Sequence, residues 1–261
     1  MGEYQNINLA VEGRTAIITI DHPPANALNT ATVQELAAAF DEATANDQVK
    51  VIIFTGAGQF FGAGADINEI AELKSYEQAY EIVRLGQEFL MNIERSKKPV
   101  IAAINGRFCL GGLNELAMAC HIRLAEDSVQ FGQPEIKLGI MPGFGGTQRL
   151  ARLVGKGRAL EIMLGGGNIK AQEAFRIGLV NKVVPVGSVV REAKRWAKVF
   201  SMWGGVAMAS VLQATNEGLD MTLEEGMQRE AEIFAKLTET EDMYEGLSAF
   251  LEKRRPRFQD K

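Results

Sequence analysis

Glu115 and Glu135 stand twenty residues apart, each in a stretch that should press it against an apolar interior. Glu115 lies in Leu110-Gly111-Gly112-Leu113-Asn114-Glu115-Leu116-Ala117-Met118, and Glu135 in Phe131-Gly132-Gln133-Pro134-Glu135-Ile136. Keeping a carboxylate charged among hydrophobes is costly. Burial lifts its pKa toward the range useful for proton transfer. Two such groups make a candidate acid–base pair. The plain alternative is that one or both cap a helix or pair with an arginine.

Two glycine-rich turns accompany them. Phe61-Gly62-Ala63-Gly64-Ala65-Asp66-Ile67 follows a strand and precedes a short helix, and Gly111-Gly112 opens another helix. Small residues let a ligand approach the backbone, and a helix start leaves N–H groups free to face developing negative charge. Taken alone, each is equally a tight turn that needs glycine. Other chemistries fail on spacing. Gly56-Ala57-Gly58 and Gly143-Phe144-Gly145 lack the third glycine of a dinucleotide loop, which falls on Phe61 and Gln148. No triphosphate loop and no G-x-S-x-G nucleophile elbow occurs. The two histidines, His22 and His121, have no metal spacing, and His121 reads as structural. Cys109 and Cys120 read as buried core thiols.

The elements that must position these groups follow from hydrophobic period. Thr15–Ile20, Val49–Thr55 and the doubly buried Pro99–Ile104 read as strands, with shorter ones at His121–Leu124 and Val129–Phe131. Helices are predicted over Thr32–Ala45 and Tyr76–Arg95, the latter with Tyr80, Val83, Phe89, Leu90 and Ile93 inward. Alternation of strand and helix implies a largely parallel sheet. Beyond Pro142 the pattern is helical: 147–154, 157–164, 171–177, 189–200, 206–217, 222–236 and 244–253. A boundary at Pro185-Val186-Gly187 divides an α/β core, 1–186, from a helical region, 187–261.

The chain has 261 residues, 46% apolar and 23% charged, with net charge -5. That is globular composition without the basic surface of a nucleic-acid binder. Two cysteines exclude a disulfide framework and point to the cytoplasm. No apolar run reaches a membrane span. Met1-Gly2-Glu3-Tyr4 carries no apolar leader, and Asn6 stands where a myristoylation motif wants Ser or Thr.

In order along the chain come Pro24-Ala25-Asn26-Ala27-Leu28, Gly64-Ala65-Asp66, Asn105-Gly106 with Gly111-Gly112 and Glu115, and Gln133-Pro134-Glu135. Then come Pro142-Gly143-Phe144-Gly145-Gly146-Thr147-Gln148-Arg149-Leu150, Ala171-Gln172-Glu173-Ala174 and Glu245-Gly246-Leu247-Ser248-Ala249-Phe250. This set resembles the enoyl-CoA hydratase branch of the crotonase superfamily over essentially the whole chain. The resemblance implies a crotonase (ClpP-like) α/β fold of repeated ββα units with a helical C-terminal trimerisation region.

It also implies roles. The N–H groups of Ala65 and Gly112 form an oxyanion hole for the thioester carbonyl. Glu115 acts on water, and Glu135 delivers a proton to the α-carbon. Ala63, Asp66, Ile67 and Gly143 bind CoA or acyl portions, while Phe250 and Lys253 reach a neighbouring subunit's CoA. The implied product is 3-hydroxyacyl-CoA, made in fatty-acid β-oxidation by a homotrimer or hexamer. No metal or other cofactor, nucleic acid or membrane is implied. The alternatives are a Δ3–Δ2 enoyl-CoA isomerase, which needs one carboxylate, and a non-catalytic acyl-CoA- or RNA-binding homologue. The chain departs from the family in its loop: four residues, Arg107 to Leu110, precede the glycines, and Leu113 stands for a third glycine. Gly111 and Gly112 both remain as second donor, and Leu113 either narrows the acyl site or fills the core. Gly165-Gly166-Gly167 departs too, and nothing in the sequence accounts for it.

Overall fold

The computed structural model describes residues 4–261. The reading of Met1-Gly2-Glu3 as free of a leader or acylation signal lies outside the described residues. β1 (Ile7–Glu12) and β2 (Thr15–Ile20) form an antiparallel pair and lead to α1 (Thr30–Ala45). The chain then repeats one pattern: a strand for a large sheet, a short strand for a second sheet, then a helical turn. The first round is β3 (Val51–Gly56), β4 (Gly62–Ala63) and α2 (Ile67–Ala71), followed by the long α3 (Tyr76–Glu94). The second is β5 (Val100–Ile104), β6 (Phe108–Leu110) and α4 (Gly112–Ala119). The third is β7 (Ile122–Glu126), β8 (Gln130–Gly132) and a 3-10 turn at Pro134–Leu138.

The large sheet runs β1-β2-β3-β5-β7-β10, where β10 is Lys182–Val184; all its pairs after β1/β2 are parallel. The second runs β4-β6-β8-β9, where β9 is Asn168–Lys170. Successive residues of a strand face opposite sides, and both sides of the large sheet are covered. Ile18, Ile52, Phe54, Ala102 and Ile104 face the core under α1, α3 and α4. Ile17, Val51, Ile53, Ile101 and Ala103 face α8 (Val189–Phe200), which supplies Val189, Ala193 and Ala197. Between them lie α5 (Gly146–Val154), α6 (Lys156–Gly165) and α7 (Ala171–Arg176); α9 (Gly205–Gly218), α10 (Leu223–Leu237) and α11 (Glu241–Leu251) follow.

One inward assignment on α3 is corrected. Phe89, Leu90 and Ile93 are buried, but Tyr80 is exposed and stacks on Tyr76, at 5.8 Å between ring centroids. The first turns of α3 overhang the cavity described next rather than the core, so the apolar stripe there meets open space. Among the described residues, no helix is long and apolar enough to cross a membrane.

Candidate active site

Gly111 sets the entry to α4. Its φ of 52° lies in the left-handed region, and a Cβ there would come 3.2 Å from Gly64 Cα and 3.1 Å from Glu135 Oε1. Only glycine permits both the turn and the close approach. The Gly111 N–H is spent on Gly132 O at 3.0 Å, while the Glu115 N–H makes the helix's first return bond, to Gly111 O. Gly112 therefore opens the helix with an N–H that has no intrahelical acceptor. On the other turn, Leu28 N–H donates to Gly64 O and Asp66 N–H donates to Leu28 O. The bridge uses the residues either side of Ala65, so among the described residues nothing accepts the Ala65 N–H. Ala65 and Gly112 line the same cavity of about 570 Å³, together with Glu115 and Glu135.

The two carboxyls differ in surroundings. Glu115, on α4, is 2% exposed, and its Oε1 accepts the Gly146 N–H at 2.6 Å. Burial pushes its pKa up to about 8; the Gly146 N–H pulls it down, and the charge of Glu135 adds to the rise. Glu135, on the 3-10 turn, is half-buried, and burial raises its pKa too. Among the described residues its Oε2 has no hydrogen-bond partner, and neither has the Gln133 side-chain amide, which is fully buried. A methyl on Gly146 would overlap Gln133 Nε2 and lie 2.9 Å from Glu115 Oε1, so the amide sits beside that carboxyl. The plain reading holds in part: Glu115 accepts the first N–H of α5, which no side chain of its own N-cap serves, while among the described residues neither glutamate pairs with an arginine at contact distance. An acid and a base that share a cavity with two free N–H donors can move protons while stabilising an oxyanion.

Leu113 does not narrow this cavity. It is fully buried beneath β4, packed so closely on Gly62 that a Cβ there would overlap it, and lines no part of the site. The bulky wall is Phe144, which the sequence reading passed over as one residue of a glycine-rich run. Its ring lies between Gly86 of α3 and Gly112 of α4. The segment's alternation of Phe144 with Gly143 and Gly145 was the available signal.

The remaining expected residues scatter. Gly143 lines the cavity and its carbonyl accepts Gln87 Nε2 at 2.8 Å. Ala63 and Ile67 are exposed beside the Ala65 turn, and Asp66 caps α2, accepting Asn68 N–H at 2.9 Å. Phe250 is 81% exposed on α11, and neither it nor Lys253 lines this chain's cavity. His121 is structural: its Nδ1 accepts the Val100 N–H, so Nε2 carries the proton and faces Glu94 O at 3.1 Å. Both cysteines are free and buried, and burial pushes the Cys120 thiol up to about 12. Among the described residues, no cluster of three metal-ligating side chains occurs.

Residues 11–261 match the family model described as enoyl-CoA hydratase/isomerase. The chain is 44% identical over 255 residues to a short-chain-enoyl-CoA hydratase of Clostridium acetobutylicum, covering 97% of each. It is 45% identical over 257 residues to a crotonyl-CoA hydratase of Syntrophomonas wolfei, covering 98% of each. Among solved structures, a Geobacillus kaustophilus protein described as an enoyl-CoA hydratase subunit superposes with TM-score 0.94 at 39% identity, covering both chains fully. The enoyl-CoA hydratase of Bacillus anthracis gives 0.93 at 38% identity, covering 98% of this chain and 100% of that one.

Proposed function

The chain belongs to the enoyl-CoA hydratase/isomerase family, and from that membership we propose that it adds water syn across the 2,3-double bond of an enoyl-CoA thioester, giving 3-hydroxyacyl-CoA. The observation that carries this reading is the meeting of two carboxyls and two uncommitted N–H groups in one cavity. The thioester oxygen sits between Ala65 N–H and Gly112 N–H, which take up enolate-like charge as C3 is attacked. Donors fixed in advance for charge that develops later are commonly the largest contribution to catalysis. Ionised Glu115 takes a proton from the water, whose oxygen bonds to C3. Protonated Glu135 gives its proton to C2.

The pair thus begins with one proton, on Glu135, and ends with one, on Glu115. Burial favours the protonated form at Glu115. The proton must therefore cross back before each attack, and the pair rather than either group is the titrating unit. An isomerase needs one such carboxyl; the second, buried and hydrogen-bonded at Glu115, favours hydration. Acid, base and oxyanion donors all come from the chain, so the reaction closes without metal or redox cofactor, CoA being part of the substrate. The names of the relatives, short-chain-enoyl-CoA and crotonyl-CoA hydratase, support a short acyl chain and a step of fatty-acid β-oxidation.

Ala63, Asp66 and Ile67, beside the Ala65 turn, form the CoA approach. Leu219, Leu223, Phe234 and Phe250 are apolar and more than half exposed on or beside α9–α11. They form the contact surface of a trimer or a pair of trimers, which brings Phe250 and Lys253 to a neighbour's CoA. Two free thiols suit the reducing cytoplasm. The test is crotonyl-CoA with the purified protein in EDTA, followed by loss of conjugated-thioester absorbance. Turnover is expected; activity lost to EDTA and restored by zinc overturns the metal-free scheme.

A further inference from the structure

Arg149, on α5, takes no part in the scheme above, yet it grips the segment that orients Glu115. Its Nε and Nη2 donate to Glu94 Oε1 and Oε2 at 2.7 and 2.8 Å, a bidentate fork, and its Nη1 donates to Phe144 O at 2.7 Å. Phe144 and Gly145 lead directly to Gly146, whose N–H holds Glu115 Oε1. The side chain is only 12% exposed. Glu94 is itself seated: its carbonyl accepts Asn216 Nδ2 of α9 at 2.6 Å and faces His121 Nε2. We infer that Arg149 is a positioning residue for the Glu115 carboxyl, acting through the 144–146 backbone and held in register by Glu94.

This inference rests on the assignment of Glu115 to the water. A planar guanidinium can hold Glu94 through two bonds and still reach a carbonyl with its third nitrogen; an ammonium cannot keep all three. The cation also opposes the effect of burial on Glu115. The charged groups near Glu115 are Glu135 on the 3-10 turn and Arg149 on α5. Those sharing Arg149's other side are Glu94, Arg95, Arg152, Glu217 and Asp220, which line a second cavity of about 600 Å³. Phe144 and Gly145 wall both cavities.

The experiment compares Arg149→Met, Arg149→Lys and Glu94→Gln with the parent and Glu115→Gln in crotonyl-CoA hydration, reading kcat, KM, the pH profile of kcat and the melting temperature. Parent activity abolished by Glu115→Gln establishes the underlying assignment separately; without it, that assignment falls before Arg149 is judged. With it, Arg149→Met should lower kcat about 10–100-fold with KM within about threefold. Its alkaline limb should move up in pH, because a cation that favoured the ionised carboxyl is gone. Arg149→Lys should lose part of kcat but keep the limb near the parent's, and Glu94→Gln should fall between. A raised KM at unchanged kcat, or an unshifted limb in Arg149→Met, overturns the inference. If Arg149→Met fails to fold, Arg149→Lys and Glu94→Gln decide: parental kcat per folded molecule in both overturns it.

Discussion

The Phe144 ring occupies the place where a side chain on Gly86 would be: a methyl there would overlap three of its ring atoms. A glycine in the middle of α3 costs about 1 kcal/mol against alanine, so the position trades helix stability for room beside the cavity. Gly86→Ala should therefore push the ring into the site and depress crotonyl-CoA hydration while barely lowering the melting temperature. In a Phe144→Ala background the same change should be tolerated. A Gly86→Ala protein with parental kcat/KM contradicts this packing.

Phe144→Ala alone should open the wall. Each unit of acyl fit is worth about 1–3 kcal/mol, so preference for longer enoyl chains over crotonyl should rise about 10–200-fold in relative kcat/KM. A profile of kcat/KM against chain length checks it, and an unchanged profile would place the acyl end elsewhere.

Leu113 gives the opposite pattern. It is buried beneath β4 and away from the cavity. Leu113→Ala should cost about 2–5 kcal/mol of stability, as large-to-small core changes do, and leave the chain-length profile flat. Denaturant unfolding beside that profile separates the two roles.

Glu115 ties stability to pH. Its pKa is about 8 in the folded protein, against an ordinary value of 4.5. Between those values the folded state keeps a proton that the unfolded chain has released. Stability from this group is thus whole below pH about 4.5, declines as pH rises, and levels off above about 8. Glu115→Gln removes the loss and keeps an acceptor for the Gly146 N–H. The variant should be more stable than the parent at pH 8 by about 1–4 kcal/mol, and so melt higher, with the gap closing toward pH 4–5. Parent activity should fall as pH rises through about 8, when the pair loses its one proton. Melts of the two proteins across pH decide it; no gap at pH 8 means the carboxyl is not desolvated.

The long β-branched runs at Thr15–Ile20 and Val100–Ile104 were legible because they are buried on both faces and need no partner to reveal their period. Helix 189–200 coincides with α8 because its apolar stripe meets a single sheet face. The second sheet was legible only at β8, which overlaps the strand expected at Val129–Phe131; β4, β6 and β9 are two or three residues long, too short to show alternation. β1 was missed because Asn8 and Glu12 dilute its pattern while the neighbouring β2 supplies its hydrogen bonds. Both glutamates were singled out through their apolar neighbours, and Ala65 and Gly112 through the family resemblance. Phe144 and Arg149 were not, because their importance comes from what α3 brings to them: Gly86 beneath the ring and Glu94 beside the guanidinium. Such pairings, 58 and 55 positions apart, leave no local signature.

The most direct test of the paired carboxyls is crotonyl-CoA hydration in D2O by the parent, Glu115→Gln and Glu135→Gln, followed by proton NMR. The parent should yield 3-hydroxybutyryl-CoA carrying one deuterium on C2, and each variant should be slower by about 10²–10⁴-fold. A Glu115→Gln protein that hydrates at the parental rate, or a parent that moves the double bond without adding water, contradicts the account.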